Sequence, residues 1–334
     1  MSPPPDWLSR LLDMIQVSGH LDLRCFYGAP WRIDADDAQA GEMPYHVVVG
    51  LSAVLEGPAS ASRHLAAGDI LMLPHGSAYI LHDGSGAPPA LSRNRATLSL
   101  IISENTGTGE RLDMLCGRFV LSPPHLRLWR DYLPPILIVS AADRSASTAK
   151  PGAAAQLAGL VGLMRSESAV DSLGGRAMLN ALSTAMFALI LRLASELAEA
   201  PAGLLALAGH PRLAPALAAL FHEPDQPWSL PELARLSHMS RATIARHFQQ
   251  RLGRTAIDLS TDIRMTLAAN KLKQSSVSTA AVAAAIGYQS EAAFQRVFKR
   301  RMGMTPAQWR HAAVVKIGGC ASALSPRAIG SAAI

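Results

Sequence analysis

Cysteine is scarce in this chain, with three among 334 residues: Cys25, Cys116 and Cys320. They are too few and too dispersed for a disulfide framework or for a zinc site built from paired Cys-x-x-Cys ligands. A reducing cytoplasm is the simplest setting for such a chain. No cationic start followed by an apolar run opens the sequence, so no signal peptide is expected. Long apolar runs are missing as well. The most apolar helical stretch, Ala177 to Leu191, is fifteen residues between Arg176 and Arg192 and contains Asn180, Ser183 and Thr184. A bilayer span needs about 20 apolar residues, so no membrane partner is expected.

Acidic residues are few in one part of the chain only. The formal net charge is +6, yet residues 1–204 carry 15 Lys and Arg against 19 Asp and Glu, whereas residues 205–317 carry 15 against 6. The basic charge therefore belongs to the C-terminal third, which points that third at a polyanion. A chain of this length has room for two domains, each with its own core.

What is present begins with Trp7, Leu8, Leu11, Leu12 and Ile15 at helical spacing, which predicts a short amphipathic helix. Between Leu21 and Leu137 the pattern changes to short apolar runs broken by glycine, proline and aspartate. LDLRCFY, YHVVVGLSAVLEG, RHLAAGDILMLPHGSAYIL, ATLSLIIS and DMLCGRFVL each predict strands of four to eight residues, which argues for a barrel or sandwich. The run Gly68 to Gly76, GDILMLPHG, resembles the second half-motif of the cupin barrel. In metal-holding cupins a histidine follows that second glycine by three positions. Here the residue is Tyr79, and the upstream strand offers only His46, with no His-x-His pair. The ligand set is incomplete, so no metal and no cofactor are expected, and His46, His64, His75 and His82 are expected on the surface or in loops. A barrel of this size has room for a small apolar effector, whose identity the sequence does not specify. Cys25 and Cys116 fall on predicted strands. Two readings stand for them: small buried residues, or a redox sensor in which the Arg118 guanidinium near Cys116 favours the thiolate.

Residues 141–155, AADRSASTAKPGAAA, predict a linker, and residues 141–204 as a whole a linker with a helical hairpin. Its first helix, Ala154 to Glu167, carries Leu157, Leu160, Val161 and Met164 on one stripe. The second, Gly175 to Glu199, carries Met178, Leu182, Met186, Leu189 and Leu193, with Phe187, Ile190 and Leu191 off that stripe. Either a second copy of the chain or the barrel itself covers the surplus apolar surface. The tail, residues 318–334, is expected to be disordered, with Cys320 incidental.

The C-terminal third is dense in helix punctuation. Leu213, Leu217 and Leu220 mark a helix from Pro211 to Phe221. Ser229 with Glu232 forms a capping box for a short helix to Leu236, and Ser240 caps the next, which buries Ile244, Phe248 and Leu252 and ends at Gly253. The stretch IGYQSEAAFQRVFKRRMGMTP, Ile286 to Pro306, has the same grammar: a reversing Gly287, a capping Ser290, and Phe294, Val297 and Phe298 on one face. Gln295, Arg296, Lys299, Arg300 and Arg301 are expected on the exposed side. Ile244, Phe248, Gly253 and Thr255 recur as Phe294, Phe298, Gly303 and Thr305, each displaced by 50 residues, while Leu233 and Ala234 recur as Val282 and Ala283 at 49. One such helix alone has the bland reading of a solvated amphipathic face; a repeat makes it two helix-turn-helix units. A continuous helical pattern, Ala256 to Gln274, separates them.

The segment from about Gly209 to Ala313 resembles the DNA-binding domain of the AraC/XylS family of bacterial transcription regulators. Residues 1–139, including the LCGRF run at Cys116, are similar to the cupin-type sensor domain of one branch of that family, some of whose members respond to reactive chlorine or other electrophiles. The resemblance implies an α+β chain: a cupin-like barrel in residues 1–140 with the hairpin, then an all-α domain of two helix-turn-helix units in residues 205–317. It implies base-facing positions at Arg241, Ala242, Thr243, Ala245 and Arg246 in the first unit and Glu291, Ala292, Gln295 and Arg296 in the second. Ser240 and Ser290 serve as caps that also reach phosphate, and Lys299, Arg300 and Arg251 as phosphate contacts. The partners implied are double-stranded DNA, a second copy of the chain, RNA polymerase and an effector, and no catalytic residue is expected. A metal-binding barrel enzyme and a dimerisation module without effector are the competing readings of the N-terminal region.

Overall fold

The computed structural model describes residues 6–57, 60–121, 126–142, 152–197, 202–274 and 277–318. Most of the expected linker and the tail from residue 319, with Cys320, lie outside the described residues. The strands are β1 (Val17–Gly28), β2 (Arg32–Ala35), β3 (Glu42–Gly50), β4 (Ser52–Gly57), β5 (Ser60–Ala66), β6 (Asp69–Met72), β7 (Tyr79–His82), β8 (Ser92–Ala96), β9 (Ile101–Asn105), β10 (Arg111–Leu121) and β11 (Leu137–Ser140). The helices are α1 (Trp7–Met14), α2 (Leu126–Tyr132), α3 (Ala153–Glu167), α4 (Gly175–Glu196), α5 (Leu204–Ala208), α6 (Ala214–His222), α7 (Leu230–Leu236), α8 (Arg241–Leu252), α9 (Ala256–Leu272), α10 (Thr279–Ala285), α11 (Glu291–Met302) and α12 (Pro306–Gly318). The strands with α3 and α4 form one compact unit, and the remaining helices, α1 and α2 among them, form a second.

In the first unit a seven-stranded sheet, β11-β6-β3-β10-β1-β9-β8, faces a four-stranded sheet, β2-β7-β4-β5. Their inner faces share one core, with Cys25, Leu71, Met114 and Cys116 from the larger sheet and Leu55, Leu65 and Tyr79 from the smaller. β1 and β10 reach 12 and 11 residues, longer than the four to eight expected, because they pair along their whole length from Val17 opposite Leu121 to Gly28 opposite Arg111. Gly117 is required there: a Cβ would stand 2.1 Å from the His20 carbonyl oxygen.

The other face of the larger sheet carries α4, and here the expected stripe is rotated. Leu179, Ser183, Phe187, Ile190, Leu191 and Ala194 are buried; of the expected stripe Met186 is buried too, while Met178 is 53% exposed. Polar contacts set that rotation. The Gly19 N–H donates to Thr184 Oγ1 at 2.8 Å, the Leu21 N–H to Asn180 Oδ1 at 3.3 Å, and Tyr45 Oη lies 2.7 Å from Ser183 Oγ. Gly19 lets the helix backbone approach so closely that a Cβ would stand 2.5 Å from the Ser183 carbonyl carbon. Phe119 completes the seam, 4.6 Å from Tyr45 and 4.8 Å from Phe187 between ring centroids. The surplus apolar face of α4 is thus buried within the single chain. At 22 residues α4 is long and apolar enough, by length and composition alone, to cross a membrane, and it ends at Glu196 where Glu199 was expected.

In the second unit α1 starts on the Asp6 carboxylate, which accepts from the Leu8 and Ser9 amides. It packs on α6 through Trp7 and Phe221, and Asn270 of α9 donates to the Met14 carbonyl at 2.7 Å. α6 begins at Ala214 rather than Pro211, and α5 has no counterpart in the expected element order. The helix-turn-helix helices follow their caps. Ser229 and Glu232 close the capping box of α7; Ser240 and Ser290 accept from the amides of Thr243 and Ala293; Gly253 and Gly303 end α8 and α11 at φ 66° and 78°. The repeat extends one element further: Thr255 with Asp258 caps α9 as Thr305 with Gln308 caps α12.

Candidate nucleic-acid interface and barrel core

The two candidate recognition helices share two buried positions, and the third, Leu252 on α8, answers to a half-buried Met302 on α11. Ile244, Phe248 and Leu252 face inward on α8, and Phe294 and Phe298 on α11. Around Phe294 and Phe298 gather Leu272, Val282 and Ile286, and Trp309 meets Phe298 edge to face at 5.9 Å. With those faces spent, Arg241, Ala242, Ala245 and Arg246 are exposed on α8, and Glu291, Ala292, Gln295, Arg296, Lys299 and Arg300 on α11. Arg246 and Arg296 stand at equivalent places 50 residues apart. Thr243 is half-buried, its Oγ1 2.8 Å from the capping Ser240 hydroxyl, and Gln295 donates to Glu291 Oε1 at 2.9 Å.

Two arginines depart from expectation. Arg301 is not on the exposed side: its side chain is 14% exposed and its guanidinium meets Asp258 at 2.5 Å and Asp262 at 3.3 Å. Arg251 is half-buried, and its Nη1 donates to the Ala206 carbonyl at 3.0 Å. Periodicity could have found both, because each lies seven residues after a buried aliphatic or aromatic position, Ile244 and Phe294. Sequence reasoning also missed Arg264 of α9. It donates to the carbonyls of Pro224, Asp225 and Gln226, holding the loop before α7. Gly287 needs that loop as well as its φ of 80°, since a Cβ would stand 2.0 Å from the Asp225 carbonyl oxygen. His247 on α8 lies 5.2 Å from the His210 ring; burial, then the charge of His210, lowers its pKa.

In the barrel core Cys25 sits opposite Met114, which makes Cys116 its diagonal neighbour on the same face, and the two sulfurs are 3.8 Å apart as free thiols. His46 stands directly across from Cys116 on β3, 4% exposed, with Nδ1 3.1 Å from Cys116 Sγ and Nε2 2.5 Å from Tyr79 Oη. The surface or loop placement expected of His46 is therefore corrected. Every residue from Tyr45 to Val48 is buried, so alternation could not reveal which side faced the core. Burial lowers the His46 pKa to about 4, leaving a neutral imidazole at pH 7. Hydrogen bonding to Cys25 and burial raise the Cys116 thiol well above its ordinary value. Arg118, expected to favour the thiolate, is engaged by Asp22 at 2.6 Å and Glu42 at 3.2 Å instead. Among the described residues no group of three or more His, Cys, Asp or Glu is placed to hold a metal ion.

A two-sheet barrel joined in one chain to a duplicated helix-turn-helix unit defines a DNA-binding transcriptional regulator with an N-terminal cupin domain. Residues 6–196, more than half of the chain, match the cupin family, and residues 233–312 match the helix-turn-helix domain. The chain is 29% identical over 306 residues to an HTH-type transcriptional regulator of Haemophilus influenzae, covering 91% of this chain and 98% of that one. It is 26% identical over 308 residues to the regulator MtrA of Neisseria gonorrhoeae, covering 91% and 98%, and 25% identical over 305 residues to the RCS-specific activator RclR of Escherichia coli, covering 91% and 97%. The chain belongs to the AraC/XylS family of transcriptional regulators, in the branch that carries a cupin domain.

Proposed function

We propose that the protein regulates transcription by laying α8 and α11 in successive major-groove segments of one operator, under control of its barrel. The observation that carries this reading is the repetition of one exposure pattern, one serine cap and one glycine stop at a displacement of 50 residues. α9, 17 residues long, spans about 26 Å, which suits readers whose grooves recur roughly every 34 Å. Arg246 and Arg296 pair with guanine edges. Arg241, Ala242, Thr243 and Ala245 accompany Arg246, and Glu291, Ala292 and Gln295 accompany Arg296. Ser240, Ser290, Lys299 and Arg300 contact the backbone, adding affinity without sequence preference. The chain works in the cytoplasm as a homodimer, with RNA polymerase as a further partner and no catalytic role. Leu163, Val170, Leu173 and Met178, exposed on and between α3 and α4, support the dimer.

The signal enters at Cys25 and Cys116. Closing a disulfide between them releases two protons and two electrons, and a two-electron oxidant such as a hypohalous acid accepts the electrons. Because both thiols are buried, an oxidant that reaches them is small and neutral. A small-molecule effector is the second reading, favoured by Trp31 Nε1, buried in the same core without a hydrogen-bond partner among the described residues. Mapping genomic binding sites with and without oxidant, together with mass spectrometry of the thiols, tests both. Absence of an enriched sequence overturns the DNA reading. Binding that ignores oxidant in the wild type and in the Cys25→Ser, Cys116→Ser pair overturns the oxidation reading.

A further inference from the structure

Arg251 and Arg301 occupy equivalent positions in the last turns of α8 and α11, and both turn inward. Each moors its helix to an element outside its own helix-turn-helix pair. For Arg251 it is the Ala206 carbonyl of α5. For Arg301 the mooring is longer. Its guanidinium bridges Asp258 and Asp262, one turn apart on α9. Asp258 is already tied into the Thr255 capping box, and the Thr255 hydroxyl, then Arg301, hold its carboxyl below the usual range. Asp262 is 3% exposed, and its other oxygen accepts the Tyr132 phenol of α2 at 2.6 Å. Asp131, next to Tyr132, pairs with Arg254 at 2.6 Å, and the Arg254 guanidinium lies 5.6 Å over the Tyr132 ring. Gly203 closes against the same point, where a Cβ would stand 2.3 Å from the Tyr132 carbonyl oxygen.

A nearly buried carboxylate needs its donors. The Tyr132 hydroxyl supplies one of them. We infer that Arg301 is a positioning residue for the second recognition helix, and that α2, through Tyr132, completes the mooring that sets how α11 reads DNA. The inference rests on the two-reader assignment. α2 lies in the half of the chain that matches the cupin family, some seventy residues before α5, yet it is built into the DNA-reading unit. The consequence is specific: bidentate arginine recognition fails when the helix carrying it tilts, whereas backbone attraction tolerates a tilt.

The test uses the full-length chain and a duplex selected from random sequence for tight binding, alongside two derivatives with either half-site scrambled. Tyr132→Phe is expected to weaken binding about tenfold on the intact duplex and on the derivative that keeps only the α11 half-site. Binding to the derivative that keeps only the α8 half-site stays within about twofold. Arg301→Gln behaves alike, and the double variant loses less than the product of the two, because the groups act in one chain of contacts. Neither variant changes the slope of log affinity against log salt, while Lys299→Ala lowers it by about 1. Equal losses on both half-sites, no loss at all, or a reduced salt slope for Arg301→Gln overturns the inference. A wild-type protein that does not distinguish the scrambled duplexes overturns the two-reader assignment itself, and the inference with it.

Discussion

His46 couples the barrel core to pH. Its folded pKa of about 4 lies below the unfolded value of about 6.5, so between those values the unfolded chain binds a proton that the folded chain does not. The stabilisation from the neutral imidazole is fully present above about pH 6.5 and is lost as pH falls toward 4, on the order of 3 kcal/mol at most. Urea denaturation of the full chain at pH 7 and pH 4.5 measures it, and His46→Gln is expected to flatten the difference. On the DNA side, Arg246→Ala is expected to relax preference at one base pair by about 1 to 3 kcal/mol, whereas Lys299→Ala weakens all sequences alike. A binding array of single-base variants separates the two. At this scale the caps were readable: Ser240, Ser290, Gly253 and Gly303 act through their own backbone, where neighbours in sequence decide. His46, Arg251 and Arg301 were not, because what each meets lies on another element.

Elements whose ends carry strong local signals begin and stop where the sequence says. α8 and α11 do so through serine and glycine, and Gly303, at φ 78° with open space around it, isolates the cost of losing that stop. Gly303→Ala is expected to destabilise by about 1 kcal/mol, read by thermal melting, from backbone strain alone. α4 is the opposite. Its length was legible, but its buried face was not, because Asn180, Ser183 and Thr184 bond β1 and Tyr45 and turn the helix away from its most apolar stripe. Gly19→Ala forces α4 off β1 and is expected to cost roughly 1 to 3 kcal/mol, also by melting, since neither backbone there can yield. β1 and β10 exceed their expected lengths because turn residues limit a strand only where pairing is weak.

For the whole molecule, two readers on one face of the duplex require half-sites about one helical turn apart. Inserting about 5 base pairs between them is expected to abolish joint binding, and a full turn to abolish it as well, because α9 spans about 26 Å; a mobility-shift series with spaced duplexes checks this. The sequence by itself determined the α+β class, the barrel-like N-terminal region, the duplicated helix-turn-helix and the family, because repeats, caps and short strand runs are local or periodic features that survive without coordinates. Tertiary structure alone decided that His46 stands between Cys116 and Tyr79, that α4 spends its apolar surface on the sheet, and that α2 joins the DNA-reading unit. Each of those is a pairing between groups far apart in the chain, and such pairings are chosen by burial and by the need of buried polar groups for partners, which no single stretch of sequence specifies.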